Sequence, residues 1–121
     1  MRMLCLDTYA LIEINNGNPK FASLLNEDVV ITDLTMAEFY ANMYRRYNEK
    51  TADYWHKRLS AFCKPVSRGI LIKAIRFRID NKQKRPSFFD CVGYTYAQEH
   101  NMRFATGDKE LEGMDGVLFI K

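Results

Sequence analysis

Cysteine, proline and glycine are all scarce, with 3 Cys, 3 Pro and 6 Gly in 121 residues. Cys5, Cys63 and Cys91 form no CxxC pair, and only His56 and His100 could add an imidazole, which argues against a zinc site and against a disulfide framework. Each cysteine lies in an apolar stretch and reads as a small buried hydrophobe in a reducing compartment. So little Gly and Pro leaves no low-complexity linker, and no internal repeat is visible. An excess of one charge is missing too. Eighteen Lys and Arg against fifteen Asp and Glu leave a net charge of +3, too small for a histone-like tail or a polybasic anchor, although nucleic acid stays open as a partner. No apolar run approaches the roughly 20 residues that cross a bilayer. The start, Met1-Arg2-Met3-Leu4-Cys5-Leu6-Asp7, meets an acid too soon for a signal peptide. A cytoplasmic protein without membrane association is expected, with one compact domain over residues 1–121.

What is present is a set of short, continuous apolar runs. Met3 to Leu6, Val29 to Ile31, Arg103 to Ala105 and Val117 to Ile120 read as strands, with a weaker candidate at Lys64 to Val66. Runs that are apolar on both faces belong to parallel sheets covered by helices. Segments of helical period lie between them. Met36, Tyr40, Met43 and Tyr47 form one stripe, Trp55, Leu59 and Phe62 a second, and Leu71, Ile75 and Ile79 a third. A last helix is expected from Ser87 to about His100. This order describes an α/β fold, a three-layer sandwich with a central parallel sheet of four to five strands and helices on both faces.

Four acids stand out by position. In an open parallel sheet, ligands bind outside the carboxyl ends of the strands, near the point where strand order reverses. Asp7 follows the first strand, and Asp108 follows the strand at Arg103 in the turn Thr106-Gly107-Asp108. Glu38 lies on the first turn of a helix expected to start near Thr35, and Asp90 on the first turn of the helix opening at Ser87. Which side of the sheet that last helix starts on is left open by the sequence. Each acid also has a plain structural role available. Asp7 can cap a helix at Thr8, Thr35-Met36-Ala37-Glu38 matches the capping box, Ser87-Phe88-Phe89-Asp90 has the same layout, and Asp108 suits a polar turn. Four acids on one rim would raise one another's pKa, and a divalent cation resolves that repulsion.

Oxygen ligands without Cys or paired His point to Mg²⁺ or Mn²⁺, as one or two ions. The chemistry that follows is in-line attack of a metal-activated water on a phosphodiester. Neither a nucleophile elbow nor a GxxxxGK[ST] loop is present to offer another route. Basic residues are dense between positions 45 and 85. Arg45, Arg46, Lys82, Lys84 and Arg85 are candidates for RNA contact, against the plainer reading of a solvated helix face.

Leu4-Cys5-Leu6-Asp7-Thr8, Thr32-Asp33-Leu34-Thr35-Met36-Ala37-Glu38-Phe39, Phe88-Phe89-Asp90-Cys91-Val92-Gly93-Tyr94 and Phe104-Ala105-Thr106-Gly107-Asp108 together resemble the PIN (PilT N-terminus) domain. The stretch Ala105 to Gly113 is similar to VapC-type members, the toxin half of type II toxin-antitoxin pairs. The resemblance implies a Mg²⁺- or Mn²⁺-dependent endoribonuclease that is a homodimer and is held inactive by a protein antitoxin. It implies metal-ligand roles for Asp7, Glu38, Asp90 and Asp108, and a supporting hydroxyl at Thr106. Glu110, Glu112 and Asp115 do not match the spacing at which some relatives carry a further acid.

Two other readings keep the same fold: an RNA-processing nuclease without an antitoxin, and a non-catalytic module that binds RNA or protein. A receiver domain would need an acidic pair after the first strand, where this chain has Asp7 alone, and an Asp after the third, where it has Ser67.

Overall fold

Side chains alternate across each central strand, and both faces are covered. In the computed structural model, which describes residues 3–84 and 86–120, β1 (Leu4–Leu6), β2 (Val29–Thr32), β3 (Cys63–Lys64), β4 (Arg103–Thr106) and β5 (Val117–Phe119) form one parallel sheet of order β3-β2-β1-β4-β5. Leu4 and Leu6 of β1, Val29 and Ile31 of β2 and Ala105 of β4 enter one apolar cluster, while Cys5, Val30 and Phe104 enter another. A period of two with both faces dry is what a parallel sheet between two helical layers requires.

The first layer holds α1 (Thr8–Asn15), α2 (Pro19–Ala22), α3 (Asp33–Arg46) and α4 (Glu49–Leu59), which supply Leu11, Phe21, Phe39, Met43 and Leu59 to the core. The second holds α5 (Arg68–Asp80) and α6 (Phe88–Glu99), which supply Ile70, Ala74, Cys91 and Val92. Helix α6 lies close on β4, since a Cβ on Gly93 would come within 2.6 Å of the Phe104 ring. No helix among the described residues is long and apolar enough to cross a membrane.

The chain runs outward from β1 through β2 to β3, then returns on the other side of β1 with β4 and β5. Strand order therefore reverses between β1 and β4. Asp7 follows one of these strands, and Thr106 ends the other.

Four local expectations are corrected. The cap of α3 is Thr32, whose side chain accepts the Thr35 N–H at 3.1 Å. The helix thus begins at Asp33, Glu38 sits on its second turn, and Thr35-Glu38 is no capping box. Of the stripe Leu71, Ile75 and Ile79, only Leu71 packs against the core; Ile75 and Ile79 do not face it. Ile70 and Ala74 do, with Phe77 packed beside them, and Ile79 is 63% exposed. Because α5 is apolar on nearly every side, its period cannot choose a face, and the small Ala74 permits close approach to α6. On α3, Phe39 is buried where the expected stripe had Tyr47, which is exposed. The weakest strand is also displaced, to Cys63–Lys64.

All three cysteines are free, with Cys5 and Cys91 buried and Cys63 half-buried.

Candidate functional site

Asp7 is the first residue past β1 and continues its ladder, donating its N–H to the Ala105 carbonyl at 3.2 Å. Its extended backbone makes it the cap of α1, where its Oδ1 accepts the Ala10 N–H at 2.8 Å. The cap engages one carboxylate oxygen. The other, Oδ2, accepts the hydroxyl hydrogen of Thr106. The Thr106 oxygen in turn accepts the Asp108 N–H at 3.0 Å. One threonine at the end of β4 thereby fixes the acids that follow two neighbouring strands.

Asp108 caps a short 3₁₀ turn, Lys109–Leu111, through Oδ1 and the Glu110 N–H at 3.0 Å. Glu38 reaches across from α3 and accepts the Thr8 hydroxyl hydrogen on Oε1. The cap of α6 is Ser87, whose hydroxyl oxygen accepts the Asp90 N–H at 3.0 Å. That places Asp90 in the first turn of α6, at the same edge of the sheet.

Asp7, Glu38, Asp90 and Asp108 all line one open cleft of about 460 Å³, together with Thr8, Tyr9, Ile12, Asn42, Ser87, Gly107 and Lys109. The structure brings the four acids together, and it answers the question of where α6 begins. Capping and clustering are not alternatives here, since Asp7 and Asp108 do both. Thr8, Tyr9, Ile12, Asn42 and Lys109 were not singled out from the sequence. For Asn42 a signal existed, because it lies four residues from Glu38 and so on the same helix face.

The electrostatics are set by burial and by the acids' action on one another. Asp7 is 1% exposed, and burial first, then the charge of Asp90, holds its carboxyl well above the ordinary range against the opposing pull of Thr106 and the Ala10 N–H. Burial pushes Asp90 up to about 7, helped by the charge of Asp108, a hydrogen bond with Asp108 and the charge of Glu38. The charges that act most on these two groups are all carboxylates.

Hard oxygen donors of this kind suit Mg²⁺ or Mn²⁺ rather than softer ions. Among the described residues, however, no three His, Cys, Asp or Glu side chains converge closely enough to ligate one ion as they stand. Glu38 is turned to Thr8, Asp7 to Thr106 and Ala10, and Asp108 to Glu110.

Of the candidate RNA contacts, Arg45 and Arg46 are exposed in the last turn of α3, and Lys82 and Lys84 are exposed in the turn after α5. Arg85 lies outside the described residues. None of these four lines the acidic cleft; its one basic lining residue is Lys109.

The PIN domain family model matches residues 4–117, and the chain belongs to that family. Among curated proteins, none matches it by sequence. Solved structures do. A toxin-antitoxin complex from Klebsiella pneumoniae superposes with TM-score 0.78 at 22% identity, covering 95% of each chain. DNA-bound VapBC from Salmonella typhimurium gives 0.75 at 16%, covering 98% of this chain and 97% of that one. VapC20 from Mycobacterium tuberculosis, a sarcin-ricin loop cleaving toxin, gives 0.72 at 15%, covering 93% and 92%. At such identities the likeness is one of fold.

Proposed function

We propose that this PIN domain is a Mg²⁺- or Mn²⁺-dependent endoribonuclease, the toxin of a toxin-antitoxin pair, acting as a homodimer and restrained by a protein antitoxin. The observation that carries the reading is the convergence of four carboxylates, from four separate segments, on one cleft at the strand-order reversal. The toxin-antitoxin assemblies that share the fold support the pairing, and the loop-cleaving toxin among them supports RNA as substrate.

In this reading Asp7, Glu38, Asp90 and Asp108 would hold the ion. A bound divalent cation supplies a water of lowered pKa and a counter-charge for the phosphoryl group. The chain's own part is to aim the acids. Thr106 and the Ala10 N–H fix both oxygens of Asp7, so that its charge is placed with little freedom. The turn at Gly107 holds Asp108 beside it. Glu38, which accepts the Thr8 hydroxyl hydrogen, would offer its carboxylate to the ion, as would Asp90 once deprotonated. Arg45, seven residues from Glu38 and on the same face of α3, extends the surface toward an RNA backbone, with Arg46, Lys82, Lys84 and Arg85 as outer contacts.

The products are a 5′-phosphate and a 3′-hydroxyl. Incubation of single-stranded or loop RNA with the protein and Mn²⁺ tests the reading. Cleavage is expected, with loss in EDTA and in the Asp7→Asn and Asp90→Asn variants. Cleavage that persists in EDTA would eliminate the metal mechanism, and its absence under all conditions would favour the non-catalytic binding module. A neighbouring reading frame that encodes a DNA-binding antitoxin would favour the toxin role, and its absence would favour RNA processing.

A further inference from the structure

The acidic cleft has a lip of different chemistry. Tyr9 and Ile12 are three residues apart on α1, hence on one helix face, and both line the cleft beside the carboxylates. Tyr9 is 43% exposed. Its ring is nonetheless fixed from two sides. A Cβ on Gly107 would stand 2.2 Å from the ring Cε1 and 2.8 Å from Cζ, so the ring rests on bare backbone between Thr106 and Asp108. The Phe21 ring supports it from the side, with centroids 5.9 Å apart and planes inclined at 55°. The Tyr9 hydroxyl has no hydrogen-bond partner among the described residues. Tyr44, Tyr47 and Tyr54 are exposed as well, but none lines the cleft.

A nucleotide pairs a charged phosphate with a flat apolar base, and this cleft sets a cation-seeking floor against one rigid aromatic ring. Base–aromatic stacking tolerates any base because every base has a π-face. Resting on the nuclease reading above, we propose that Tyr9 is a stacking platform for the nucleobase beside the scissile phosphate of a single-stranded RNA. Gly107 is then selected by two demands: a turn that presents Asp108, and room for the ring. Ile12 extends the apolar shelf along α1.

The test uses the full chain and a short single-stranded RNA carrying 2-aminopurine, with Ca²⁺ in place of Mn²⁺ to permit binding without turnover. Wild type and Tyr9→Phe are expected to quench the fluorophore equally. Tyr9→Leu keeps apolar bulk against Phe21 and should melt like wild type, yet lose the quenching and bind about 5- to 100-fold more weakly. Gly107→Ala, which displaces the ring from beneath, should reduce quenching with Tyr9 intact. Quenching and affinity unchanged in Tyr9→Leu would overturn the platform. Cleavage by wild type and by Tyr9→Leu with Mn²⁺, read in parallel, separates the two claims. Tyr9-dependent quenching without cleavage upholds the platform and removes the nuclease; cleavage indifferent to Tyr9 does the reverse.

Discussion

Thr106 donates its hydroxyl hydrogen to Asp7 across 99 residues of sequence, joining the ends of two adjacent parallel strands inside the protein. Asp7 has one other described donor, the Ala10 N–H. Thr106→Val keeps the shape and removes the donor, leaving a buried carboxyl oxygen unsatisfied at a cost of about 1–3 kcal/mol. Urea unfolding should show a lower midpoint at unchanged m-value, and RNA cleavage should fall with it. Unchanged stability would mean that the hydroxyl does not serve Asp7.

Proton linkage gives a second expectation. Asp7 and Asp90 both have folded-state pKa values raised above those of the unfolded chain. For a carboxyl shifted upward, the stabilising contribution is complete below the unfolded value and is lost as pH rises through the folded one. In EDTA, stability should therefore decline from about pH 4, the unfolded aspartate value, through about 7, where Asp90 titrates. Asp90→Asn should melt higher than wild type at pH 8 and nearly the same at pH 4.5. Thermal melts over that range check it, and a wild-type profile rising from pH 4 to 8 would contradict it.

Gly93 lets α6 sit directly on β4. The Phe104 ring that a new methyl would strike is fully buried. Gly93→Ala should destabilise by about 1–3 kcal/mol through overpacking, shifting the denaturant midpoint down. Because α6 carries Asp90, metal affinity should weaken in the same variant.

Salt separates a phosphate-contacting surface from a solvated helix face. Each phosphate neutralised on single-stranded RNA steepens the salt dependence of affinity by about 0.7 in the log–log slope. Arg45→Ala with Arg46→Ala should flatten that slope by about 1 to 1.5 while leaving the melting temperature in place. A slope equal to wild type would assign both arginines to solubility alone.

The layers and the strand-end acids were legible because both follow from short-range pattern. Four of the strands are apolar runs near their expected places; Asp7 stands immediately after one of them and Asp108 two residues after another. Which face of α5 turns inward was not legible, since a helix carrying Ile70, Leu71, Ile72, Ile75, Phe77 and Ile79 is apolar around most of its circumference. The cap of α3 was misplaced by three residues because Thr32 and Thr35 are both competent caps, and continuation of β2 decided between them. The Thr8–Glu38 bond and the Tyr9 ring on Gly107 join segments 30 and 98 residues apart, and no local pattern announces such contacts.

Titration of the protein with Mn²⁺, following the free ion by electron paramagnetic resonance, tests the central claim most directly. Saturable binding to wild type is expected, weakened at least about tenfold in Asp7→Asn and in Asp90→Asn, with circular dichroism showing both variants folded. Binding of equal strength in folded wild type and folded variants, or no binding by any of them, would contradict a metal site built from these carboxylates.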